Sequence, residues 1–454
     1  GDGPRSRGAR PHACPRSRAP MNPMVPMTSA PAMSEAVFAL TLALLLLAPL
    51  AIAGVALVNT GLARSRSAAQ ALLGYLALWA VTAIAFALVG ASFAGTLGTS
   101  EAAIHAAGKT WGVLGLGPFF MHGLGSATPQ AQLALLFEFM AVAMAAMIPW
   151  GSGADRWRLP GGCAAAAVLA GFVFPLTVHW IWGGGWLAAL GANFGLGAGF
   201  LDGGGAATAH VLGGVAALVL VWIAGPRRGK FPREGLSTAI PGHNAVYVLF
   251  GCLLALVGWL AWNAAGAVIW LHAPLAALPG TAINTLLSAA AALVATYSVT
   301  RVRFGKPDAS LCANGWLAGL VTSTACAALA TPAEAIFAGA VAGFFTPLLV
   351  EVLELAISID DPSGAIAVHG ASGLWGLVAA GFFAPRAGQL TAQLVGIAAL
   401  LGVVLPLVYL LFAVLNRVIA FRVDPDGERI GMDLHELGGG AYPEFVIHRD
   451  ESYR

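Results

Sequence analysis

Eleven long apolar stretches leave this chain few ways to fold. They cover about residues 37–59, 69–91, 130–149, 162–182, 206–224, 245–268, 281–299, 310–330, 335–350, 366–384 and 391–415. Their apolar runs are unbroken rather than alternating, which marks helices that satisfy their own backbone in lipid, not barrel strands. A length near 20 residues matches a hydrocarbon core about 30 Å thick. Only 10% of the 454 residues are charged, against ~25% in a soluble domain. The 58 glycines are no linker signal, because they sit in apolar runs, where small residues let helices pack closely. A net charge of +2 without a basic patch gives no sign of nucleic acid. The five cysteines, Cys14, Cys163, Cys252, Cys312 and Cys326, form no CxxC or CxxH pattern, so they read as small hydrophobes.

The connections alternate in charge. One set carries Arg64 and Arg66; Arg156 and Arg158; Arg227, Arg228, Lys230 and Arg233; Arg301, Arg303 and Lys306; and Arg417, Arg422 and Arg429. The other set carries Lys109 and Arg386. The positive-inside rule places the first set in the cytoplasm, the N-terminus outside and the C-terminus inside. Residues 1–33, rich in Arg, Pro and Met, read as a non-native or disordered extension. Residues 34–420 form the eleven-helix unit. Residues 421–454 are a polar cytoplasmic tail suited to docking or regulation.

Two segments echo each other. Asp202-Gly-Gly-Gly-Ala-Ala-Thr-Ala-His210 and Asp361-Pro-Ser-Gly-Ala-Ile-Ala-Val-His369 share Asp, Gly-Ala and His at the same offsets, and Gly214 and Gly373 follow in step. They introduce the fifth and tenth stretches, the last of two five-helix halves. A five-span half must point the other way when repeated. The pattern is therefore an inverted repeat plus one extra helix, with a site near the midplane. Helix between Asp and His rises roughly 12 Å, from the bilayer edge toward its middle. An ionisable group at that depth is a functional candidate. His210 and His369 are expected to enter from opposite faces and meet. A lone buried His is usually a satisfied core residue, but matched offsets in matched spans argue against that. Asp202 and Asp361 read as helix N-caps. Glu138 is an acid within a span.

Further segments fall into a family pattern. They are Phe174-Pro-Leu-Thr-Val-His-Trp-Ile-Trp-Gly-Gly-Gly185, Pro241-Gly-His-Asn244, Gly258-Trp-Leu-Ala-Trp-Asn263, Gly305-Lys-Pro-Asp308, Asn314-Gly-Trp-Leu-Ala-Gly319 and Ala441-Tyr-Pro443. With the two Asp-to-His segments they resemble the Amt/Mep/Rh ammonium transporter family, bacterial Amt type, over about residues 36–445. The resemblance implies an all-α inner-membrane protein, a homotrimer with one pore per subunit, and conduction of ammonium or ammonia, with methylammonium as analogue. It also implies a PII-type regulator at the cytoplasmic face, no enzymatic activity and no cofactor or metal. Residue by residue, His210 and His369 match the family's pore pair, Trp182 its outer recruitment aromatic, Asp202 its structural acid and Asp361 the inner counterpart. The chain departs where Ala141 replaces a gate Phe, Glu138 a Gln, Gly266 the Ser of the outer site, and Leu437 a His of the tail. Trp262 stands for the second gate Phe, so Phe137, Phe139 and Trp262 are the candidate pore-lining aromatics.

The chemistry suits those roles. A bare cation at lipid depth is costly unless it is paired or loses its charge. An indole face attracts a cation by about 0.5–2 kcal/mol. Neutral ammonia crosses an apolar tube cheaply, and imidazole both donates and accepts hydrogen bonds. Potassium has no proton to shed. The changes at Ala141, Gly266 and the tail keep a second reading open, an ammonium sensor with the same fold and little conduction. A haem held between two span histidines is a third.

Overall fold

The computed structural model describes residues 33–98 and 100–442. Its long helices are α1 Glu35–Leu62, α2 Ser65–Ala94, α3 Pro129–Ser152, α4 Leu159–Ile181, α5 Ala206–Ala224, α6 Ala245–Leu271, α7 Leu275–Phe304, α8 Ala309–Cys326, α9 Pro332–Leu355, α10 Ile366–Phe383 and α11 Gln389–Val418. Among the described residues ten of these, all but α8, are long and apolar enough to cross a membrane. The expected stretch at 310–330 is α8, whose apolarity is diluted by Asn314, Thr322, Ser323 and Thr324. It packs against α7, α9 and α10, so its polar groups face protein rather than lipid.

Local signals start the helices where they begin. Thr128 caps α3 by accepting from Ala131, with Pro129 in the first turn. Asn244 caps α6 through Val246 and Tyr247, and Asp308 caps α8 through Leu311. Thr331 and Glu334 form a reciprocal capping box at α9, satisfying amides that the helix itself leaves free. Pro49 interrupts α1 after Ala48, because proline lacks the amide hydrogen that a helix interior needs. Burial sorts the bundle. The apolar lengths of α5 and α3 are 83% and 78% buried, against 28% for α1, α2 and α11. The histidine-bearing α5 is thus central, and the outer helices face lipid.

The two ends of the bundle differ. At one end the connection after α2 holds a hairpin that no sequence signal had suggested, β1 Glu101–Ala106 paired antiparallel with β2 Lys109–Gly115. It leans on the end of α4, where Trp180 Nε1 donates to Val113 O at 2.8 Å and His179 Nε2 lies 3.1 Å from Glu101 Oε2. The opposite end carries the basic loops and the tail. There α12 Pro425–Ile430 and a π-helical turn over Asp433–Leu437 pack on the bundle. Glu436 accepts from Leu159 N at 3.1 Å, Asp433 from Gln70 N at 2.7 Å, and Glu428 from Arg228 N at 2.7 Å. As far as Tyr442 the tail packs on its own bundle. The expected extension at 1–33, apart from Met33, and the tail beyond Tyr442 lie outside the described residues.

Beneath the tail lies a buried ionic network. Arg227 reaches Asp360 at 2.9 Å and Asp155 at 3.0 Å, while Arg156 lies 3.5 Å from Asp360 and Arg64 lies 3.0 Å from Asp155. Burial alone would raise the Asp360 carboxyl, but Arg156 and Arg227 override it and hold it down to about 2. Burial lowers the Arg156 guanidinium to about 10 despite Asp360 beside it.

Candidate functional site

Asp202 builds the start of α5. Its carboxylate accepts from the amides of Gly205 at 3.0 Å, Ala206 at 2.6 Å, Ala207 at 3.0 Å and Thr208 at 3.0 Å. Gly205 sits at φ +91°, a left-handed turn that other residues resist. Asp361 does related work before α10. It accepts from Ile366 N at 2.8 Å and from the hydroxyls of Ser152 at 2.8 Å and Ser363 at 3.0 Å. Each following helix opens with a π-helical turn, Ala206–Val211 and Ile366–Ala371, and each turn contains its histidine. Such wide turns are rare and concentrate at functional sites.

His210 enters from the hairpin end and His369 from the tail end. Their Nδ1 atoms lie 3.2 Å apart, with ring planes 17° from parallel. Both residues are buried, at 0% and 2% exposure. Two N–H groups would repel at this distance, so one Nδ1 donates and the other accepts. His210 also lies nearly parallel to Trp259, 12° between planes and 5.2 Å between centres. Its Nε2 has no protein partner. The close approach depends on glycine: a methyl group on Gly214 would overlap the backbone of Gly370, and one on Gly373 would press on Val211. The imidazoles bond to each other, which leaves no gap between them for a haem.

Toward the hairpin end the aromatics gather. Trp182 stacks on Trp270 with centres 4.4 Å apart and planes 6° apart. Phe137 sets its edge against Trp182 at 5.5 Å, Trp262 at 5.3 Å and Trp270 at 6.0 Å. The loop before α5 anchors two of the indoles, since Trp182 Nε1 donates to Asp202 O at 2.7 Å and Trp262 Nε1 to Gly204 O at 2.6 Å. Trp270 Nε1 is buried without a partner. Ala141 lies one turn from Phe137 on α3 and is fully buried. Gly266 packs on the backbone of Gly203 and Gly204, leaving no room for a side chain.

One expected pore aromatic is elsewhere. Phe139 meets Phe86 edge-on at 5.0 Å, because two residues along a helix turn it most of the way to the opposite face. Sequence reading also missed Trp270 and gave Trp259 no role of its own. The signal was present: Trp259, Trp262, Gly266 and Trp270 recur every three or four residues along one face of α6.

A family model described as the Ammonium Transporter Family matches residues 37–442. This chain belongs to that family. Among its relatives, the ammonium transporter Amt2 of Archaeoglobus fulgidus is 34% identical over 421 residues, 88% of this chain and 86% of that protein. The ammonium transporter Amt1 of Haloferax mediterranei is 32% identical over 412 residues, 87% of this chain and 76% of that protein. Among solved structures, a sensor Amt protein superposes with a TM-score of 0.79 at 26% identity, covering 88% of this chain and 97% of that one. Candida albicans Mep2 gives 0.74 at 22% identity, covering 90% of each chain, a likeness of fold. The ammonium transporter described here is thus a multi-pass plasma-membrane protein, with ammonium or ammonia as substrate and lipid as its surroundings.

Proposed function

We propose that this transporter recruits ammonium at the Trp182–Trp270 cluster, removes its proton, and passes ammonia along His210 and His369. The reading rests above all on the 3.2 Å contact between two buried Nδ1 atoms delivered from opposite ends of the bundle. A pair that shares one hydrogen bond gives ammonia a sequence of donor and acceptor sites, and it can hand a proton along by exchanging roles. The stacked indoles offer faces to a cation shedding water. Asp202 and Asp361 act by fixing the starts of the two helices.

In this reading the hairpin end is outside and the basic tail end cytoplasmic, as the lysine and arginine distribution requires. Three subunits assemble with one path each, and a PII-type regulator meets the docked tail. An ammonium pulse applied to proteoliposomes on a conducting support tests the path. A transient current or alkalinisation is expected from the native protein, and both His210→Ala and His369→Ala should change its size or its discrimination against potassium. Unaltered flux and selectivity in both variants would remove the twin imidazoles from the path.

A second reading, ammonium sensing with little conduction, is favoured by two observations. Phe137 and Trp262 meet edge to face beside the stacked indoles, and a sensor Amt protein shares 26% identity with this chain. Absence of flux in the same liposomes, with ammonium binding retained, selects it.

A further inference from the structure

Glu138 is a buried acid within a span that the reading above leaves without a role. It follows Phe137 on α3, and its partner Thr96 comes two residues after Ala94, whose carbonyl packs on Gly183, the residue after Trp182 of the recruitment cluster. The residue is 1% exposed. Thr96, two residues past the end of α2 at the hairpin end, donates its hydroxyl to Oε1 at 2.6 Å. Oε2 is buried with no protein partner. His179 on α4, whose Nδ1 lies 3.3 Å from Ala94 O two residues before Thr96, pairs instead with Glu101 of β1 at 3.1 Å. Among the described residues no Lys, Arg or His pairs with Glu138.

A buried carboxylate with one neutral donor and no countercharge is unfavourable, so the resting group carries a proton. That proton sits on Oε2, where no protein acceptor meets it. Either form of the carboxyl therefore lacks a partner that the protein does not provide. A small cation rich in N–H donors supplies one, since charge-assisted hydrogen bonds to a carboxylate are about twice as strong as neutral ones.

From this juxtaposition of a half-satisfied carboxyl and an aromatic cluster we infer that Glu138 exchanges its own proton for ammonium at the pore entrance and then takes the proton that ammonium sheds. The inference rests on the proposed path. As ammonium arrives, the Oε2–H bond breaks, the proton leaves to the entrance water, and the carboxylate holds the ammonium ion. An N–H bond of ammonium then breaks toward Oε2, nitrogen keeps the electron pair, and neutral ammonia moves on while the carboxylic acid is restored. One ammonium enters, one ammonia proceeds, and one proton stays on the entry side. Thr96 is a positioning residue, directing the free oxygen by holding the other.

The test uses the purified full chain in weakly buffered detergent solution, titrated with ammonium chloride against potassium chloride. The native protein should release about one proton per ammonium bound, as linkage requires of an exchange. Its infrared difference spectrum should lose a protonated-carboxyl C=O stretch on binding. Glu138→Gln, close in shape and unable to ionise, should abolish both signals and weaken binding about tenfold. Thr96→Val should weaken binding less and shift the carboxyl band. The readout is binding rather than flux, so a native protein that releases protons but passes no ammonia upholds this inference while the path fails. Release undiminished in Glu138→Gln or no carboxyl band in the native protein would each overturn the assignment.

Discussion

The hairpin end and the tail end of the bundle both begin a buried helix from an aspartate, and they do so with different chemistry. Asp202 collects four main-chain amides and is flanked by indoles. Asp361 takes one amide and two serine hydroxyls, and its neighbour Asp360 is fastened to Arg227. The hairpin end is thus held by dipoles and aromatic packing, without a fixed cation close to Asp202. The tail end is held by opposed charges under a docked segment. Fixed positive charge would oppose a cation's approach, whereas ion pairing at the other end joins the basic loops to one another.

The sharpest way to break this contrast is Arg227→Ala. It leaves both Asp155 and Asp360 without their shared partner, and removing one member of a buried pair costs about 3–5 kcal/mol. The variant should unfold well below the native protein in a detergent melt, and an unchanged melt would mean that the charges at the tail end do not hold it.

Next in size is a paired test of the two aspartates. Asp202→Ala strands more amides and should cost about 2–3 kcal/mol, against about 1 kcal/mol for Asp361→Ala. Denaturant titration of both variants measures the difference, and equal losses would erase the asymmetry of the two caps. A smaller effect is expected from Trp270→Leu, which removes the indole stacked on Trp182. Apparent ammonium affinity in flux assays should fall about tenfold, the scale of a desolvated cation–π contact, apart from the loss of stability that a smaller core side chain brings. If affinity holds, the stacked pair is packing rather than a recruitment surface.

The ionic network at the tail end should respond to acid. The folded Asp360 carboxyl is held below its ordinary range, to about 2. Its contribution is therefore complete above the usual carboxylate pKa of about 4 and is lost as pH falls through about 2. The Arg227 contacts and the tail above them should loosen as pH falls through about 2, which hydrogen exchange over the tail segment can follow.

Much of this was legible in the residues. Apolar length located the spans, because lipid demands a continuous helix. The doubled Asp-to-His segments foretold two imidazoles meeting inside the bundle, although the helices begin only at about Ala206 and Ile366, so fewer helical residues than the eight expected carry each ring inward. The rest depended on contacts between distant segments. The β1–β2 hairpin has a short Ala-rich first strand, Glu101 to Ala106, without the alternation that marks a strand. Phe139 and Phe137 look equivalent in a sequence, and only helix rotation sends one to Phe86 and the other to the indoles. Trp270 was hidden because its partner Trp182 lies on another helix. Glu138 was visible as an oddity, yet its partner Thr96 sits 42 positions away.

The meeting of Gly214 with Gly370 has a further consequence. Main chain rests on main chain beside the imidazole pair, so no side-chain bulk acts there as a spacer. If the proposed path runs here, its calibre is set as by a ruler, through the thickness of two polypeptide backbones. Drift in the surrounding residues can alter what a passing molecule touches, but a wider bore would require whole helices to move.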